Sequence, residues 1–158
     1  MIKHPIEPVF NQNSKMLILG SFPSVKSREQ MFFYGHPQNR FWRVLAEVFG
    51  VNIPETVDEK REFLLKNGIA VWDVIASCDI EGSSDSTIKN VIPNDIDMIL
   101  KNAKIEKIFV NGKTALKFYN KYLRNKLGRE ALWLPSTSPA NAAWSLEKLI
   151  EEWKSNII

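Results

Sequence analysis

Four short apolar segments, each ending at glycine or at polar residues, most constrain the fold of this 158-residue chain. They are KMLILG (15–20), IAVWDVI (69–75), KIFVNG (107–112) and ALWLPS (131–136). Their β-branched, aromatic and aliphatic side chains predict four buried strands. The strands are separated by segments long enough to cross over a sheet, so they can run parallel to one another.

The segments between these strands carry helical patterns. Residues 39–50 repeat apolar side chains at helical spacing, and residues 54–68 begin with Pro and acids and end in Lys-Asn-Gly. A helix is predicted from a cap at Asn94 to Asn102, another over 113–128, and a last one after a cap at Ser145. Residues 76–90 are polar and rich in turn formers, which predicts a loop. The alternation predicts an α/β three-layer sandwich with a central four-stranded parallel sheet, built as one domain over 1–158.

Composition narrows the classes of protein. Cys78 is the only cysteine and His4 and His36 are the only histidines, which excludes an internal disulfide and argues against iron–sulfur and zinc sites. We therefore expect no metal and no cofactor. No apolar run approaches eighteen residues and the N-terminus lacks the apolar core of a signal peptide, so we expect a cytoplasmic, membrane-free protein and a monomer.

Ligands of parallel α/β sheets bind beyond the carboxyl ends of the strands. In this chain all four strand ends carry polar or special residues: Gly20 to Pro23, Trp72-Asp73, Asn111-Gly112 and Pro135 to Asn141. The first of them opens an unusual stretch, SFPSVKSREQMFFYGHPQNRFW (21–42), which places several aromatic residues and Asn39 on what reads as a loop. These side chains are predicted to line a common site.

The residue types at that site favour recognition of a flat, uncharged ring. The chain has neither a phosphate-binding P-loop nor a G-x-S-x-G nucleophile elbow. Its strand ends offer amides, hydroxyls and one carboxylate, which read polar rings and orient water. Nearby aromatic rings can stack on a nucleobase, worth roughly 1–3 kcal/mol per base. Two groups of hydroxyls beside prolines suit phosphate contacts, although each serine alone is also a common cap or turn residue: Ser21, Ser24 and Ser27, and Ser136, Thr137 and Ser138.

The net charge of +3 is modest, but its distribution is uneven. Residues 113–129 contain six basic side chains and no acid before Glu130, and Lys113, Lys117, Lys121 and Arg124 fall on one helical face. This face is either an ordinary solvated surface or a surface that meets phosphates.

The motifs GSFPSVKSREQMFFYGHPQNRFW and LPSTSPAN resemble those of the hypoxanthine-DNA glycosylases, the sixth family of the uracil-DNA glycosylase superfamily. The segment HPQNRFW also resembles the mismatch-specific uracil glycosylases. Those enzymes carry asparagine in a G-x-N-P motif after the first strand, where this chain has Phe22. The resemblance therefore moves the catalytic amide to Asn39 and implies a uracil-DNA glycosylase-like fold.

The resemblance also implies roles for the other residues. A glycosylase flips its nucleotide out of the helix and hydrolyses the bond between base and sugar with water. We expect Asn39 to position the water or the leaving base, Phe22 and Tyr34 to hold the base, and Asp73, with Asn111 as a weaker candidate, to read its polar edge. The loop 136–141 is expected to enter the minor groove, with Pro139, Ala140 or Asn141 filling the gap. Lys113 and Lys117 join the serine and threonine hydroxyls as expected DNA contacts.

The leading hypothesis from the sequence is a monofunctional glycosylase that removes hypoxanthine from double- or single-stranded DNA containing deoxyinosine, at the start of base-excision repair. A uracil or xanthine glycosylase remains an alternative. A non-catalytic module that binds damaged bases, and a hydrolase of free nucleosides, are alternatives from other classes. A free nucleoside would not require the basic helix face or the two hydroxyl-rich loops.

Overall fold

The computed structural model describes residues 1–158. Its centre is a four-stranded parallel sheet of β2 (Met16–Gly20), β3 (Ile69–Asp73), β6 (Lys107–Asn111) and β7 (Leu132–Leu134). The spatial order of these strands is β3-β2-β6-β7. Gly20 lies opposite Asp73, and Asn111 opposite Leu134, so the carboxyl ends of the strands meet at one edge. The predicted four-stranded parallel sheet is confirmed.

Helices cover both faces of this sheet. One face packs against α2 (Phe41–Phe49), α3 (Val57–Lys66) and α7 (Leu146–Ile157), and the other against α4 (Asp97–Asn102) and α5 (Lys113–Tyr122). Ile18 belongs to the first core and its neighbours Leu17 and Leu19 to the second, all three with no exposed surface. This alternation follows from the two-residue period of a strand and confirms the three-layer sandwich. None of the helices is long and apolar enough to span a membrane.

A second, antiparallel sheet was not predicted. It consists of β1 (Ile2–Lys3), β4 (Ile75–Asp79) and β5 (Lys89–Pro93), in the order β1-β4-β5. The predicted loop over 76–90 is therefore wrong at both ends, and only a short 3-10 helix, Asp85–Thr87, lies between the strands. Ser77, Cys78 and Asp79 have weak strand propensity, and β4 forms because it pairs with segments distant in sequence.

Several boundaries also differ from the sequence interpretation. The stretch after β2 contains a short helix, α1 (Val25–Gln30), because the Ser24 hydroxyl accepts a hydrogen bond from the Ser27 N–H. The helix predicted over 113–128 is broken at Leu123, after which α6 (Arg124–Leu127) ends at Gly128. The predicted cap at Ser145 is confirmed, since its hydroxyl accepts from the Lys148 N–H at 3.2 Å.

The predicted helix cap at Asn94 is wrong, and this buried side chain has another structural role. Its amide donates to the carbonyl of Asp73 at 2.9 Å and to that of Ile75 at 3.2 Å. The backbone N–H of Asn94 also donates to the Val74 carbonyl. Asn94 therefore fixes the turn between β3 and β4, at the point where the chain leaves the parallel sheet for the antiparallel one.

We expect Asn94→Ala to lower the free energy of unfolding by about 1–3 kcal/mol, because two hydrogen bonds to buried carbonyls are lost. Urea denaturation followed by circular dichroism measures the change. The matched control is Asn102→Ala, whose exposed amide donates to the Met98 carbonyl; it should change stability by no more than about 0.5 kcal/mol. Equal effects for the two variants would remove this role from Asn94.

Candidate active site

A cavity of about 340 Å³ opens at the carboxyl ends of the parallel strands. This volume lies in the range of ligand pockets, roughly 300–1,000 Å³. The lining comes from the ends of β2, β3 and β6, from the stretch after β2, from the segment between β4 and β5 and from the loop after β7: Gly20, Ser21, Phe22, Pro23, Ser24, Ser27, Phe33, Tyr34, His36, Asn39, Asp73, Ser83, Asp85, Asn111, Ser136, Thr137, Ser138, Pro139 and Ala140. No group of three or more His, Cys, Asp or Glu side chains is arranged to hold a metal ion.

The cavity gathers most of the residues singled out from the sequence. The predicted catalytic and base-binding residues Asn39, Phe22, Tyr34, Asp73 and Asn111 all line it. So do the two predicted groups of hydroxyls, together with Pro139 and Ala140. Asn141, Lys113 and Lys117 do not. The topological argument therefore located the cavity, while the roles of the residues remain predictions.

Asn39 stands at the mouth of the cavity, just before α2. Its Oδ1 accepts a hydrogen bond from the Phe41 N–H at 2.9 Å, which caps the helix and fixes the orientation of the amide. Its own N–H bonds to the His36 carbonyl at 2.9 Å. The half-buried side chain thus keeps both Nδ2 hydrogens and one lone pair of Oδ1 free for a ligand or a water.

Tyr34 lines the cavity and packs its ring against the core. The ring stacks on Phe41 with centroids 3.8 Å apart, so that face is covered. The hydroxyl is buried and makes no hydrogen bond of good geometry, although the Asn111 amide lies close to it. Burial, and then the negative charge of Asp73, raise the pKa of Tyr34 above its ordinary value, while the Asn111 amide lowers it. The hydroxyl stays protonated, and the role of Tyr34 as a stacking platform for the base stays a prediction.

The buried carboxylate of Asp73 has a partner that the sequence did not reveal. His4 Nε2 lies 2.7 Å from Asp73 Oδ2, and both side chains are about 5% exposed or less. The two residues are 69 positions apart, and His4 reaches Asp73 because β1 leads the N-terminus alongside β4. No local sequence signal marks such a pair.

A second carboxylate, Asp85, was also missed because its segment read as an ordinary loop. It lines the cavity, and the Ser21 hydroxyl donates to it at 3.4 Å. The residue as a whole is exposed. Desolvation of that group raises the pKa of Asp85, and Asp73 adds to the effect, whereas the hydroxyls of Ser21 and Thr114 lower it.

Arg40 holds the loop 136–141 against the start of α2. Its guanidinium donates to the carbonyls of Ser138 at 2.9 Å and Asn141 at 3.1 Å, and also to that of Trp144. The backbone N–H of Arg40 donates to the Thr137 carbonyl at 3.0 Å. Burial, and then the charge of Arg43, lower the pKa of Arg40. The clamp joins the loop expected to enter DNA to the residue next to Asn39, and sequence reasoning did not find it.

Several predicted DNA contacts are engaged within the protein. Ser27 is buried, and its hydroxyl accepts from the Gly35 N–H at 3.0 Å and from Ser24 at 3.1 Å. Thr137 is fully buried and exchanges two hydrogen bonds with the Asn111 side chain, at 3.0 and 3.1 Å. In the free protein these hydroxyls act as caps and braces, and their contacts with DNA stay predictions.

The other predicted DNA contacts lie on exposed surface. Pro139 and Ala140 form the exposed tip of their loop, and the Asn141 amide closes its base by donating to the Ser136 carbonyl at 3.0 Å. Lys113 and Lys117 are exposed on α5. Arg124 lies past the break at Leu123 and pairs with Glu130 at 2.6 Å, so the basic face is shorter than the sequence predicted.

We expect Tyr34→Phe to raise the free energy of unfolding by about 1–3 kcal/mol, because it removes a buried hydroxyl that has no partner. Thermal and urea denaturation measure the change. Tyr119→Phe is the matched control, since that hydroxyl donates to the Arg129 carbonyl at 2.8 Å and its loss should destabilise the fold. Loss of stability in Tyr34→Phe would mean that the hydroxyl has a partner within the protein.

Comparison with known proteins agrees with the geometry. The family model of the uracil DNA glycosylase superfamily matches residues 7–157. A hypoxanthine DNA glycosylase of Methanosarcina acetivorans is 37% identical over 157 residues, covering 98% of each chain, and one of Methanosarcina barkeri is 35% identical over 143 residues, covering 89% of each. A solution NMR structure from M. acetivorans, named for uracil DNA glycosylase, superposes with a TM-score of 0.83 at 35% identity over 98% of this chain and 96% of that one. The chain belongs to the uracil DNA glycosylase superfamily.

Proposed function

We propose that the protein is a monofunctional DNA glycosylase that releases hypoxanthine from deoxyinosine in DNA. The observation that carries the proposal is the cavity at the strand ends, which combines the Asn39 amide at its mouth with the Asp73 carboxylate and the Tyr34 hydroxyl. Two relatives that align over most of the chain are named hypoxanthine DNA glycosylases, which supports the same substrate. DNA containing deoxyinosine is therefore the proposed partner.

The polar groups of the cavity complement the edge of a hypoxanthine ring. Asp73 can accept from the N1–H, and the Tyr34 hydroxyl can donate to the neighbouring O6. Adenine has an acceptor at N1, so it would face the carboxylate with both groups unpaired. A pyrimidine such as uracil would leave part of a purine-sized pocket empty, and the lost contacts are worth roughly 1–3 kcal/mol.

The reaction requires a flipped nucleotide, because the bond between C1′ and the base cannot be reached in a duplex. The bond breaks with its electron pair leaving on the base, and positive charge develops on the sugar. A water then attacks C1′, loses one proton and yields an abasic site and neutral hypoxanthine. Asn39, held by the Phe41 N–H, keeps an acceptor and two donor hydrogens with which to orient this water.

Asp85 supplies negative charge beside the sugar in this proposal. It lines the cavity next to Ser21, the residue that directly follows β2. The related uracil enzymes carry the asparagine of their G-x-N-P motif just after this strand, where this chain has Phe22. A partly desolvated carboxylate interacts more strongly with a developing cation than a hydrated one does. Its ionised form is the one that stabilises the charge.

The exposed tip of the loop 136–141 provides the proposed contact with the DNA helix. The side chains of Pro139 and Ala140 are small and exposed, so they can fill the gap left by the flipped base. The Arg40 clamp keeps the loop ordered before DNA binds, which lowers the entropy lost on binding. Lys113 and Lys117 are exposed beside the end of β6 without lining the cavity, and they would contact the phosphate backbone.

The substrate is tested by single-turnover release from matched duplexes that carry one inosine or one uracil, followed by alkali cleavage at abasic sites. We expect rapid release of hypoxanthine and little or no release of uracil. Asn39→Ala should slow hypoxanthine release by about 10²–10³-fold while leaving duplex binding within a few-fold, because one preorganised group is lost.

The matched control for Asn39 is Gln38→Ala, since Gln38 is exposed and does not line the cavity. Its rate should remain near that of the wild type. Wild-type protein that binds the inosine duplex but never releases the base would support a non-catalytic binding module instead. Equal release of uracil and hypoxanthine would refute the purine-sized pocket, and a near-normal rate in Asn39→Ala would move the catalytic role elsewhere.

The raised pKa of Asp85 predicts a specific pH dependence. The single-turnover rate should increase with pH as Asp85 ionises, with its midpoint above the ordinary aspartate value of about 3.9. Asp85→Asn should lower the rate at neutral pH and flatten this part of the profile. Rates measured between pH 4 and 8 in both proteins provide the test. An unchanged profile in Asp85→Asn would assign the ionisation to another group.

A further inference from the structure

Asp73 presents only one of its two carboxylate oxygens to the cavity. Oδ2 is bonded to His4 Nε2 at 2.7 Å, and His4 is buried and does not line the cavity. Oδ1 lies instead over the α-carbon of Gly20, which does line it. The carboxylate therefore has one face turned into packed protein and one turned toward the ligand.

The direction of the hydrogen bond between His4 and Asp73 is set by the backbone. The Ile6 N–H donates to Nδ1 of His4 at 3.2 Å, so Nδ1 carries a lone pair and the ring proton lies on Nε2. Nε2–H then donates to Asp73 Oδ2. In this tautomer Nε2 of His4 is a donor. An N–H group of a ligand that approached Asp73 Oδ2 would therefore face the N–H group of His4.

Aromatic packing closes the same side. The His4 ring contacts Phe22, Phe33 and Trp72, with ring centroids 5.8, 6.1 and 6.4 Å away. The His4 side chain is only 3% exposed. No space is left beside Oδ2 for an additional polar group of a ligand, because protein interiors packed in this way do not open without cost.

The open side of Asp73 has a donor as its neighbour. A Cβ at Gly20 would collide with Asp73 Oδ1 and would lie 3.0 Å from the Tyr34 hydroxyl oxygen, so both groups stand over the same glycine. The Tyr34 hydroxyl has no partner in the protein. One acceptor and one buried donor therefore stand side by side next to Gly20, which lines the cavity.

We propose that His4 is a specificity-determining residue that excludes guanine by sealing the second oxygen of Asp73. The inference rests on the proposed function. Hypoxanthine and guanine share the N1–H and the O6, so Asp73 Oδ1 and Tyr34 fit both bases equally. Guanine adds a 2-amino group beside the N1–H. An open carboxylate would accept from both N–H groups of guanine at once and would favour that base.

With Oδ2 sealed, the 2-amino group of guanine finds no acceptor and meets the packed side of His4. A buried donor that loses its water without gaining a partner weakens binding, so guanine is disfavoured in both the ground state and the transition state. Pairing alone does not give this selectivity, because a guanine in a mismatch also flips readily. The cavity itself must therefore discriminate against undamaged guanine.

The test compares release of hypoxanthine and guanine from two duplexes that differ only in carrying inosine or guanine opposite thymine. Wild-type protein should release hypoxanthine and no measurable guanine. His4→Ala frees Oδ2 and opens space beside it, so the ratio of guanine to hypoxanthine release should rise at least tenfold. His4→Gln keeps an N–H donor near Oδ2, and its ratio should stay close to that of the wild type.

Two controls separate specificity from general damage. The ratio is independent of the fraction of folded protein, since both duplexes meet the same preparation. His36→Ala alters the other histidine, which lines the cavity without contacting Asp73, and its ratio should not change. Tyr34→Phe removes the donor to O6 that both purines share, so both rates should fall with the ratio unchanged.

An unchanged ratio in a His4→Ala protein that still releases hypoxanthine would overturn the inference. If that variant releases neither base, the preference is read from equilibrium binding of the same two duplexes made with a 2′-fluoroarabino sugar that resists cleavage. Gain of relative affinity for the guanine duplex supports the inference, and no gain overturns it. Failure of the proposed function is distinct, since wild-type protein would then release no hypoxanthine.

Discussion

The guanidinium of Arg40 makes the contact on which the mouth of the site depends. It binds the carbonyls of Ser138, Asn141 and Trp144, and no carboxylate lies within 4.0 Å of it. One planar group thereby satisfies several carbonyls of a loop that makes few other long-range bonds. Lysine could not replace it, because an ammonium group lacks the fixed fork that spans carbonyls spread along a turn. The loop 136–141 is thus tied to the residue next to Asn39.

In contrast to the mouth, the part of the cavity around Tyr34 contains groups in locally unfavourable states. Tyr34 has a positive φ of 50° and a buried hydroxyl without a partner. Both features are unfavourable for a tyrosine and persist because stacking on Phe41 and the surrounding core hold the residue in place. Strain and unpaired polar groups that survive in this way cluster at ligand sites, where the missing partner is the ligand. The site is therefore expected to be less stable than the core beneath it.

The sequence predicted what depends on local pattern and failed where distant segments meet. The parallel sheet and the cavity could be placed because each strand ends in recognisable residues such as Gly20 or Asn111. The β4 strand could not, since its residues favour a turn and its partners lie far away along the chain. His4 was unrecognisable for the same reason, because its role exists only through a hydrogen bond across 69 residues. Asp85 was hidden in a segment whose composition indicated only a loop.

The two carboxylates of the cavity, Asp73 and Asp85, lie in different environments that suit different roles. Asp73 is buried and bonded to His4 Nε2, which makes it a fixed acceptor suited to reading a base. Asp85 is bound only by hydroxyls at the cavity wall, and the negative charge of Asp73 contributes to raising its pKa. The two sites are therefore coupled, because any change that neutralises Asp73 also favours ionisation of Asp85. Pairs of acids held in different environments commonly take separate roles in this way, one in recognition and the other in stabilising the charge of the reaction.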